Sequence, residues 1–332
     1  MIGKKKVQIS LLDSAFNARD KRSRNEALLG KINSFVKWDN LIALCEGMYK
    51  DSPKGRPTIP IDFSLKCLFL QYMYGLSDPA LEDALIDRLS FQRFLGIGFE
   101  TDIPDFSTIW KFRERLIENN LFDSIFEEIL RQLEEKKLIL RRGTMVDATI
   151  VQSARRLKKT EPPDEEQSPR QKAQQDRDAT RTKKGKKWYY GFKGHIGVDQ
   201  ESNIIRKKKF TPANVHDIKE RDVLLSGDER GVFGDKAYGD KEIKQKCRKE
   251  GKYYGILDKG KRSHPLSFKQ EKDNRQKSRV RSAVERPFAY FKHCCGWVRA
   301  RYVTLKRNDL HFTFLCTIQN VRRGIALSEA KP

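Results

Sequence analysis

Apolar residues recur at helical spacing through the first 140 residues of the chain. Ser23 and Glu26 form a capping-box pattern ahead of the run ALLGKINSFV, which predicts the start of a helix. Asp62 is predicted to cap the apolar segment FSLKCLFLQYMY, and Ser77 is predicted to cap LEDALIDRL. The runs STIWKFRERLIE and LFDSIFEEILRQLEEKK predict two more helices. The pattern therefore predicts an all-α N-terminal domain over residues 1–140.

From Arg141 the pattern changes to short apolar runs of strand length, among them TMVDATIV, GVFGD and YYGIL. WYYGFKGHIGVD and NIIRKKKFTPAN are predicted to pair as a hairpin through residues 200–203. Helices are predicted after Asp217, over KEIKQKCRKE, around Glu285 and over HFTFLCTIQNVRRGIAL. This order is that of an RNase H-like α/β fold over residues 141–332. The assignment of this fold also depends on the motifs described below. The fold alone does not determine the function.

Two polar insertions interrupt the second domain, at about 153–187 and about 259–279. Between Leu157 and Lys187 the only apolar residues are Leu157, Ala173 and Ala179. Such a segment cannot bury enough apolar surface to offset the entropy of ordering it, so we expect a mobile basic insertion. Its KKGKK end either follows DNA or is a solvated charge run.

Charge separates the two predicted domains. Residues 1–140 contain 21 Lys and Arg and 21 Asp and Glu, whereas residues 141–332 contain 47 and 24 and hold the whole net charge of +23. Clustered basic charge is typical of nucleic-acid binding, with a membrane-surface protein or a merely basic soluble protein as alternatives. No apolar run approaches the roughly 20 residues that span a bilayer. The six cysteines form no CxxC pair, which favours reduced thiols in a cytoplasmic protein.

Three acids of the second domain are candidates for phosphodiester chemistry: Asp147 in TMVDATIV, Asp235 in GVFGDKAY and Glu285 in RSAVERPFAYFK. Cleavage of a phosphodiester by two Mg²⁺ ions requires hard oxygen ligands, which carboxylates supply. An apolar run leads into Asp147 and Asp235, and an unpaired acid at a buried strand end is costly. The residues alone leave an ordinary cap or ion pair open for each acid, because this domain holds 24 of them.

The motifs resemble a known family. YGLSDPALEDAL, IPDFSTIWKFRERL, MVDATIV, GFKGHIGVD, TPANVHD and GDKAY occur in order between Gly55 and Arg323, and resemble the transposases of the insertion sequence five group. The resemblance implies a DDE catalytic core in which Asp147, Asp235 and Glu285 bind Mg²⁺ or Mn²⁺, as two ions. It also implies cutting and joining at terminal inverted repeats, with transposon ends and target as double-stranded DNA partners. A homodimeric synaptic complex in the bacterial cytoplasm, associated with the nucleoid, is implied as well.

Related bacterial transposases often carry Tyr-x2-Arg-x3-Glu-x6-Lys around the last acid. Arg281, Glu285 and Lys292 match this signature, whereas Ser278 occupies the tyrosine position. Arg281 and Lys292 are therefore expected to contact DNA phosphates, with a simple Arg–Glu pair at i,i+4 as the alternative. Pro287 is expected to kink or break this helix.

In the first domain, two helices separated by a connection are compatible with a helix-turn-helix that places the helix of Lys111, Arg113 and Arg115 in a DNA groove. The zero net charge of this domain leaves packing or dimerisation as the alternative. His195 and His216 are interpreted as structural residues rather than ligands. Aromatic residues that could stack on bases are interpreted as packing residues; they are Trp188, Tyr189, Tyr190 and Trp297.

The sequence thus predicts a metal-dependent DNA transposase, with an all-α N-terminal domain for DNA-end binding or dimerisation and an RNase H-like catalytic domain. Two alternatives stay open. One is another RNase H-like nuclease, such as a resolvase. The other is a transposase-derived DNA-binding protein that does not cleave.

Overall fold

The computed structural model describes residues 23–49, 58–98, 101–155, 175–260 and 265–330. The chain divides into two compact units. The first comprises residues 1–136 with 313–332, and the second comprises residues 137–312. The boundary after residue 136 lies close to the predicted one. The last 20 residues differ, because the sequence analysis placed them in the second domain and the structure places them in the first.

The first unit is helical, as predicted. Its helices are α1 Arg24–Phe35, α2 Trp38–Glu46, α3 Ile61–Met73, α4 Asp78–Asp87, α5 Leu89–Leu95, α6 Phe106–Glu118 and α7 Leu121–Glu135. Helix α3 is buried on every side, since its residues Ile61 and Phe63 through Met73 are all buried. It therefore forms the centre of this unit, in line with its nearly continuous apolar sequence.

Helix caps in the first unit follow the sequence with one exception. Ser23 Oγ accepts a hydrogen bond from the backbone N–H of Glu26 at 3.1 Å, and Ser77 Oγ accepts one from Ala80 at 3.2 Å. Asp62 was predicted as a cap, but α3 begins one residue earlier. Its carboxylate instead pairs with Lys66 Nζ at 3.0 Å, because Asp62 lies inside the first turn and Lys66 follows at i+4.

The second unit is built on strands and shorter helices. The strands are β1 Thr144–Gln152, β2 Thr180–Lys184, β3 Lys187–Asp199, β4 Ile205–Pro212, β5 Gly231–Gly234 and β6 Tyr253–Ile256. The helices are α8 Asp217–Glu220, α9 Lys241–Lys249, α10 Phe268–Arg281 and α11 Glu285–His293, and the last helix, α12 Leu305–Glu329, begins in this unit and ends in the first. Among the described residues, no helix is long and apolar enough to cross a membrane.

The strands form one mixed sheet in the order β2-β3-β1-β5-β6, and β4 pairs with β3 as well. Strand β3 is antiparallel to β1, β2 and β4, whereas β5 is parallel to both β1 and β6. The predicted hairpin of β3 and β4 is present. A helical N-terminal region followed by a mixed sheet with helices is the arrangement expected of an RNase H-like catalytic domain.

Both predicted insertions contain regular structure. Of the expected mobile segment at 153–187, residues 156–174 lie outside the described residues. Its described end forms β2, which the sequence analysis did not predict. A strand that pairs through its backbone does not need apolar side chains, so a polar sequence gave no sign of it. The polar segment at 259–279 likewise ends in α10, whose first turn carries a capping box from Ser267 and Gln270.

Packing in the core of the second unit accounts for the glycine at position 194 and for the burial of Trp297. Trp297 is buried and stacks on Phe312 with ring centroids 5.2 Å apart, as the packing interpretation expected. A Cβ atom added to Gly194 would lie 2.8 Å from the Phe312 ring. Only glycine therefore fits at this position of the GFKGHIGVD motif.

Candidate active site

Two of the predicted acids come from adjacent parallel strands. Val146 of β1 and Gly234 of β5 are register partners, and Asp147 and Asp235 each follow directly. Neighbouring strands lie about 4.8 Å apart, so the two acids emerge side by side at the end of β5. The Asp235 carboxylate accepts a hydrogen bond from the Ala237 N–H at 2.8 Å and caps a short 3₁₀ turn, which ends the strand.

The third acid, Glu285, opens helix α11 after a break in the helical chain. Helix α10 ends at Arg281, and Ser282–Val284 form a 3₁₀ turn. The break agrees with the expected effect of Pro287, which lies in the first turn of α11. There its missing N–H removes no helical hydrogen bond.

Arg281 lies between two of the acids. Its Nη2 atom is 3.7 Å from Asp147 Oδ1 and 3.8 Å from Glu285 Oε1. Both distances exceed the hydrogen-bond range, and the Nε atom of Arg281 is buried without a hydrogen-bond partner among the described residues. The guanidinium thus supplies positive charge to both acids without a tight bond to either.

One cavity of about 590 Å³ collects these groups. All five residues that the sequence analysis proposed for the second domain line it, namely Asp147, Asp235, Glu285, Arg281 and Lys292. The structure therefore brings Asp147 and Asp235 together with Arg281, Glu285 and Lys292 of a later segment of the chain. A cavity lined by both carboxylates and cations suits a phosphodiester, which needs its charge neutralised where it is cut.

The electrostatics of the cavity show how close these charges are. Burial raises the pKa of Asp147 to about 6, the nearby Arg281 guanidinium opposes that shift, and the charges of Glu285 and Asp235 add to it. Lys292 Nζ donates a hydrogen bond to Thr149 Oγ1 at 2.7 Å. Burial and the neighbouring charge of Lys184 lower the pKa of Lys292. The pKa values of Asp147 and Lys292 are thus perturbed by other charged groups of the same cavity.

The three acids have the donor atoms that a metal ion needs, but their carboxylates are not grouped closely enough to bind one. All are carboxylates, the oxygen donors that Mg²⁺ and Mn²⁺ prefer. Yet no group of three His, Cys, Asp or Glu side chains in the described part of the chain is close enough to hold a metal ion. Arg281 is here the counter-ion of Asp147 and Glu285. A metal centre at these residues therefore stays a proposal.

Two cavity residues have no role in the sequence analysis. Lys193 Nζ donates hydrogen bonds to Asp217 Oδ1 at 2.9 Å and to the backbone oxygen of Val215 at 2.7 Å. Lys193 and Asp217 both line the cavity, so Asp217 is a fourth acid there. They belong to GFKGHIGVD and TPANVHD, two of the motifs that carry the family resemblance. Only the paired register of β3 and β4 brings the two motifs together.

Tyr238 of the GDKAY motif was missed as well. It lines the cavity, is 1% exposed, and its hydroxyl has no hydrogen-bond partner among the described residues. Burial raises the pKa of this phenol, and the charges of Asp217, Asp147 and Asp235 raise it further. An unpartnered buried hydroxyl beside a charged cavity is costly, which marks it as part of the site.

The two residues of the first unit that were predicted to contact DNA, Lys111 and Arg113, differ in exposure. Arg113 is 1% exposed and forms a bidentate ion pair, with Nη1 2.8 Å from Asp78 Oδ1 and Nη2 2.9 Å from Asp78 Oδ2. The prediction that it contacts DNA is therefore wrong for this structure. Residues two apart on a helix point in nearly opposite directions, so Lys111 is exposed while Arg113 faces the core.

Lys111 lines a cavity of about 470 Å³ in the first unit, together with Arg115. The Arg115 guanidinium lies 5.1 Å from the centre of the Tyr49 ring. Lys111 lies on the surface and therefore stays a candidate for DNA contact. Of the two histidines, His195 is buried, with Nε2 3.0 Å from Thr211 Oγ1, whereas His216 is exposed. Neither joins a metal-binding group among the described residues.

Comparison with known families agrees with this site. A family model described as "Transposase domain (DUF772)" matches residues 16–115, and one described as "Transposase DDE domain" matches residues 139–321. No solved structure matches the chain significantly. The second match covers more than half of the chain and contains Asp147, Asp235 and Glu285. The chain belongs to the DDE transposase family.

Proposed function

We propose that this chain is a DNA transposase of the insertion sequence five group. It binds terminal inverted repeats, cleaves the DNA there and joins the 3′ ends to target DNA by two-metal phosphoryl transfer. The observation that carries the proposal is the single cavity in which Asp147, Asp235 and Glu285 face Arg281 and Lys292. Membership of the DDE transposase family supports the activity. The motif resemblance supports the group.

The three acids would hold Mg²⁺ or Mn²⁺. When bound, two such ions activate a water or a 3′-hydroxyl and stabilise the leaving oxygen. The chain contributes the position of each carboxylate. Asp147 is held by the β1 ladder, Asp235 by its bond to Ala237, and Glu285 by the start of α11. The side chain of Glu285 is 65% exposed, so it has the freedom to turn toward a cation.

Arg281 and Lys292 neutralise the phosphate. Lys292 is oriented by its bond to Thr149 and keeps further N–H groups for other acceptors. The Arg281 Nη2 atom lies beyond hydrogen-bond distance of both neighbouring acids. It is therefore able to donate a hydrogen bond to a phosphate oxygen. Guanidinium groups bind phosphate through paired N–H donors, which fits this role.

The first unit is proposed to bind transposon ends or to mediate dimerisation, with Lys111 as a DNA contact. Both ends must be processed together, so we propose a homodimer in the synaptic complex with double-stranded DNA. A bacterial cytoplasmic, nucleoid-associated location goes with this function.

Asp235→Asn tests the proposal directly. Asparagine can still accept the Ala237 hydrogen bond, so the turn keeps its cap while the carboxylate charge is lost. We expect cleavage of labelled transposon ends to disappear and DNA binding to remain. Asp240→Asn is the control for the loss of a capping carboxylate, because Asp240 also caps a helix, through Ile243 N–H at 2.8 Å, and does not line the cavity. Its second oxygen accepts a hydrogen bond from Arg221 at 2.7 Å, so circular dichroism first checks that both variants are folded.

Continued cutting by Asp235→Asn would place the active site elsewhere. The alternatives separate in the same assay. A nuclease or resolvase would cut without joining the 3′ end to a target duplex. A DNA-binding protein that does not cleave would bind ends and leave them intact in the unmodified chain as well.

A further inference from the structure

The hairpin of β2 and β3 carries an unusual charge load. Five of the seven residues from 181 to 187 are Lys or Arg, and all five are exposed. Across the described residues none of them forms an ion pair; they are Arg181, Lys183, Lys184, Lys186 and Lys187. By contrast, three cations of β3 and β4 do have an acid partner: Lys193 pairs with Asp217, Arg206 with Asp228 and Lys208 with Asp309.

This hairpin forms one wall of the catalytic cavity. Thr182, Lys183 and Lys184 line it together with the acids. Lys184 is close enough to Lys292 to lower the pKa of that ammonium group. The same strand β3 then continues into the sheet, where Gly191 pairs with Gln152 of β1. The hairpin is therefore a direct extension of the strands that position Asp147.

The register sorts the hairpin into two faces. Lys184 is opposite Lys187, and Lys183 is opposite Trp188. Like charges directly opposite each other destabilise a strand pair. An anion between Lys184 and Lys187 would remove that cost. On the other face the Trp188 ring is 68% exposed, with Lys183 Nζ 5.7 Å from its centre.

We propose that the β2–β3 hairpin is a DNA clamp that binds backbone phosphates of the duplex entering the catalytic cavity, through Lys184 and Lys187. A two-stranded ribbon with unpaired cations fits a polyanion, and DNA presents one charge about every 1.7 Å of helix axis. The proposal rests on the proposed function for the identity of that polyanion. An anionic membrane also attracts basic hairpins with an exposed tryptophan. The continuity of this hairpin with the cavity favours DNA.

The test compares two double variants of equal charge loss in the full-length chain. Lys184→Gln with Lys187→Gln removes the clamp, and Lys241→Gln with Lys249→Gln is the control. The control lysines are exposed on α9 and lie outside the catalytic cavity. Binding of a fluorescein-labelled duplex of arbitrary sequence is measured by anisotropy at several NaCl concentrations. Phosphate contacts do not depend on sequence, so this assay needs neither an active element nor cleavage.

We expect the clamp variant to bind at least tenfold more weakly at low salt. Its slope of log K against log[salt] should shrink by about 1.8, because each phosphate contact contributes about 0.9. The control should change the slope by less than half as much. Equal losses in the two variants would overturn the clamp, since a general field effect would then account for both.

Two further readouts separate the possible failures. Vesicles rich in phosphatidylserine should bind the clamp variant and the unmodified chain alike. A loss of vesicle binding together with unchanged DNA binding would overturn the proposal in favour of a membrane. If transposon ends are never cut while the clamp variant still loses DNA affinity, the clamp stands and the proposed function fails. If cutting, joining and DNA affinity are all normal in the clamp variant, the clamp fails and the proposed function stands.

Discussion

Arg113 of the first unit and Arg281 of the second are both largely buried guanidinium groups that face carboxylates. They differ in how closely the charges approach. Arg113 lies 2.8 and 2.9 Å from the two oxygens of Asp78, whereas Arg281 lies 3.7 and 3.8 Å from oxygens of Asp147 and Glu285. The side chain of Arg113 is 2% exposed and that of Arg281 is 19% exposed.

The difference separates a structural ion pair from one open to a ligand. A bidentate pair at hydrogen-bond distance neutralises both charges and holds α6 against the start of α4. Arg281 instead shares two acids without bonding either, and it faces a cavity. The two units also differ in net charge: the first is nearly neutral and the second is strongly basic. The first holds 23 basic and 22 acidic residues, and the second holds 45 and 23.

Arg113→Met should produce the largest loss of stability. It leaves the Asp78 carboxylate without its counter-ion, and breaking a buried pair in this way costs about 3–5 kcal/mol. We expect the lower end of that range, because Asp78 is 22% exposed and still receives a hydrogen bond from Gln71. Urea denaturation followed by tryptophan fluorescence measures the free energy of unfolding.

The double variant Arg113→Met with Asp78→Ala is the control for that prediction. Removing both partners leaves no uncompensated charge, so much of the lost stability should return. A double variant as unstable as the single one would show that the arginine acts by packing its stem rather than by its charge.

His195 extends the comparison to a buried group that carries no counter-ion and must stay neutral. Burial lowers its pKa from the ordinary value of 6.5 to about 4. The unfolded chain takes up a proton below about pH 6.5 and the folded chain resists until about pH 4. Stability should therefore fall by about 3 kcal/mol as the pH drops through this window. His195→Gln, which cannot be protonated, should flatten this dependence in denaturation measured from pH 7 to pH 4. His216→Gln should leave it unchanged, because His216 is exposed.

Local patterns in the sequence predicted most elements of the fold. Ser23 and Ser77 cap their helices, and β1, β3 and β5 form from the runs assigned to them. The exceptions depend on distant partners. Strand β2 exists because β3 offers it backbone hydrogen bonds. The last 20 residues belong to the first unit because they pack against residues of that unit, which are distant in the sequence.

The candidate site shows the same limit. Motif resemblance selected Asp147, Asp235 and Glu285, and the structure brings them to one cavity. The roles of Lys193 and Tyr238 could not be predicted, because they depend on partners that approach from other strands and turns. Arg113 was misassigned although it lies at same-face spacing from Ile109 and Leu116, which are buried in α6; only its acid partner Asp78 explains how a charged residue occupies that face.

Arg281→Met should have the smallest effect on stability and a clear effect on binding. Both of its ion pairs are longer than hydrogen bonds and Glu285 is well exposed, whereas the Asp147 side chain is only 16% exposed, so we expect a loss of unfolding free energy of about 1–2 kcal/mol, less than that of Arg113→Met. If the guanidinium takes a DNA phosphate as its partner, its loss should lower the slope of log K against log[salt] by about 0.9. Lys292→Met should lower that slope by a similar amount, and each loss should be alike for all DNA sequences. A loss of several kcal/mol with an unchanged salt slope would make Arg281 a structural residue like Arg113. The contrast between the two arginines would then fail.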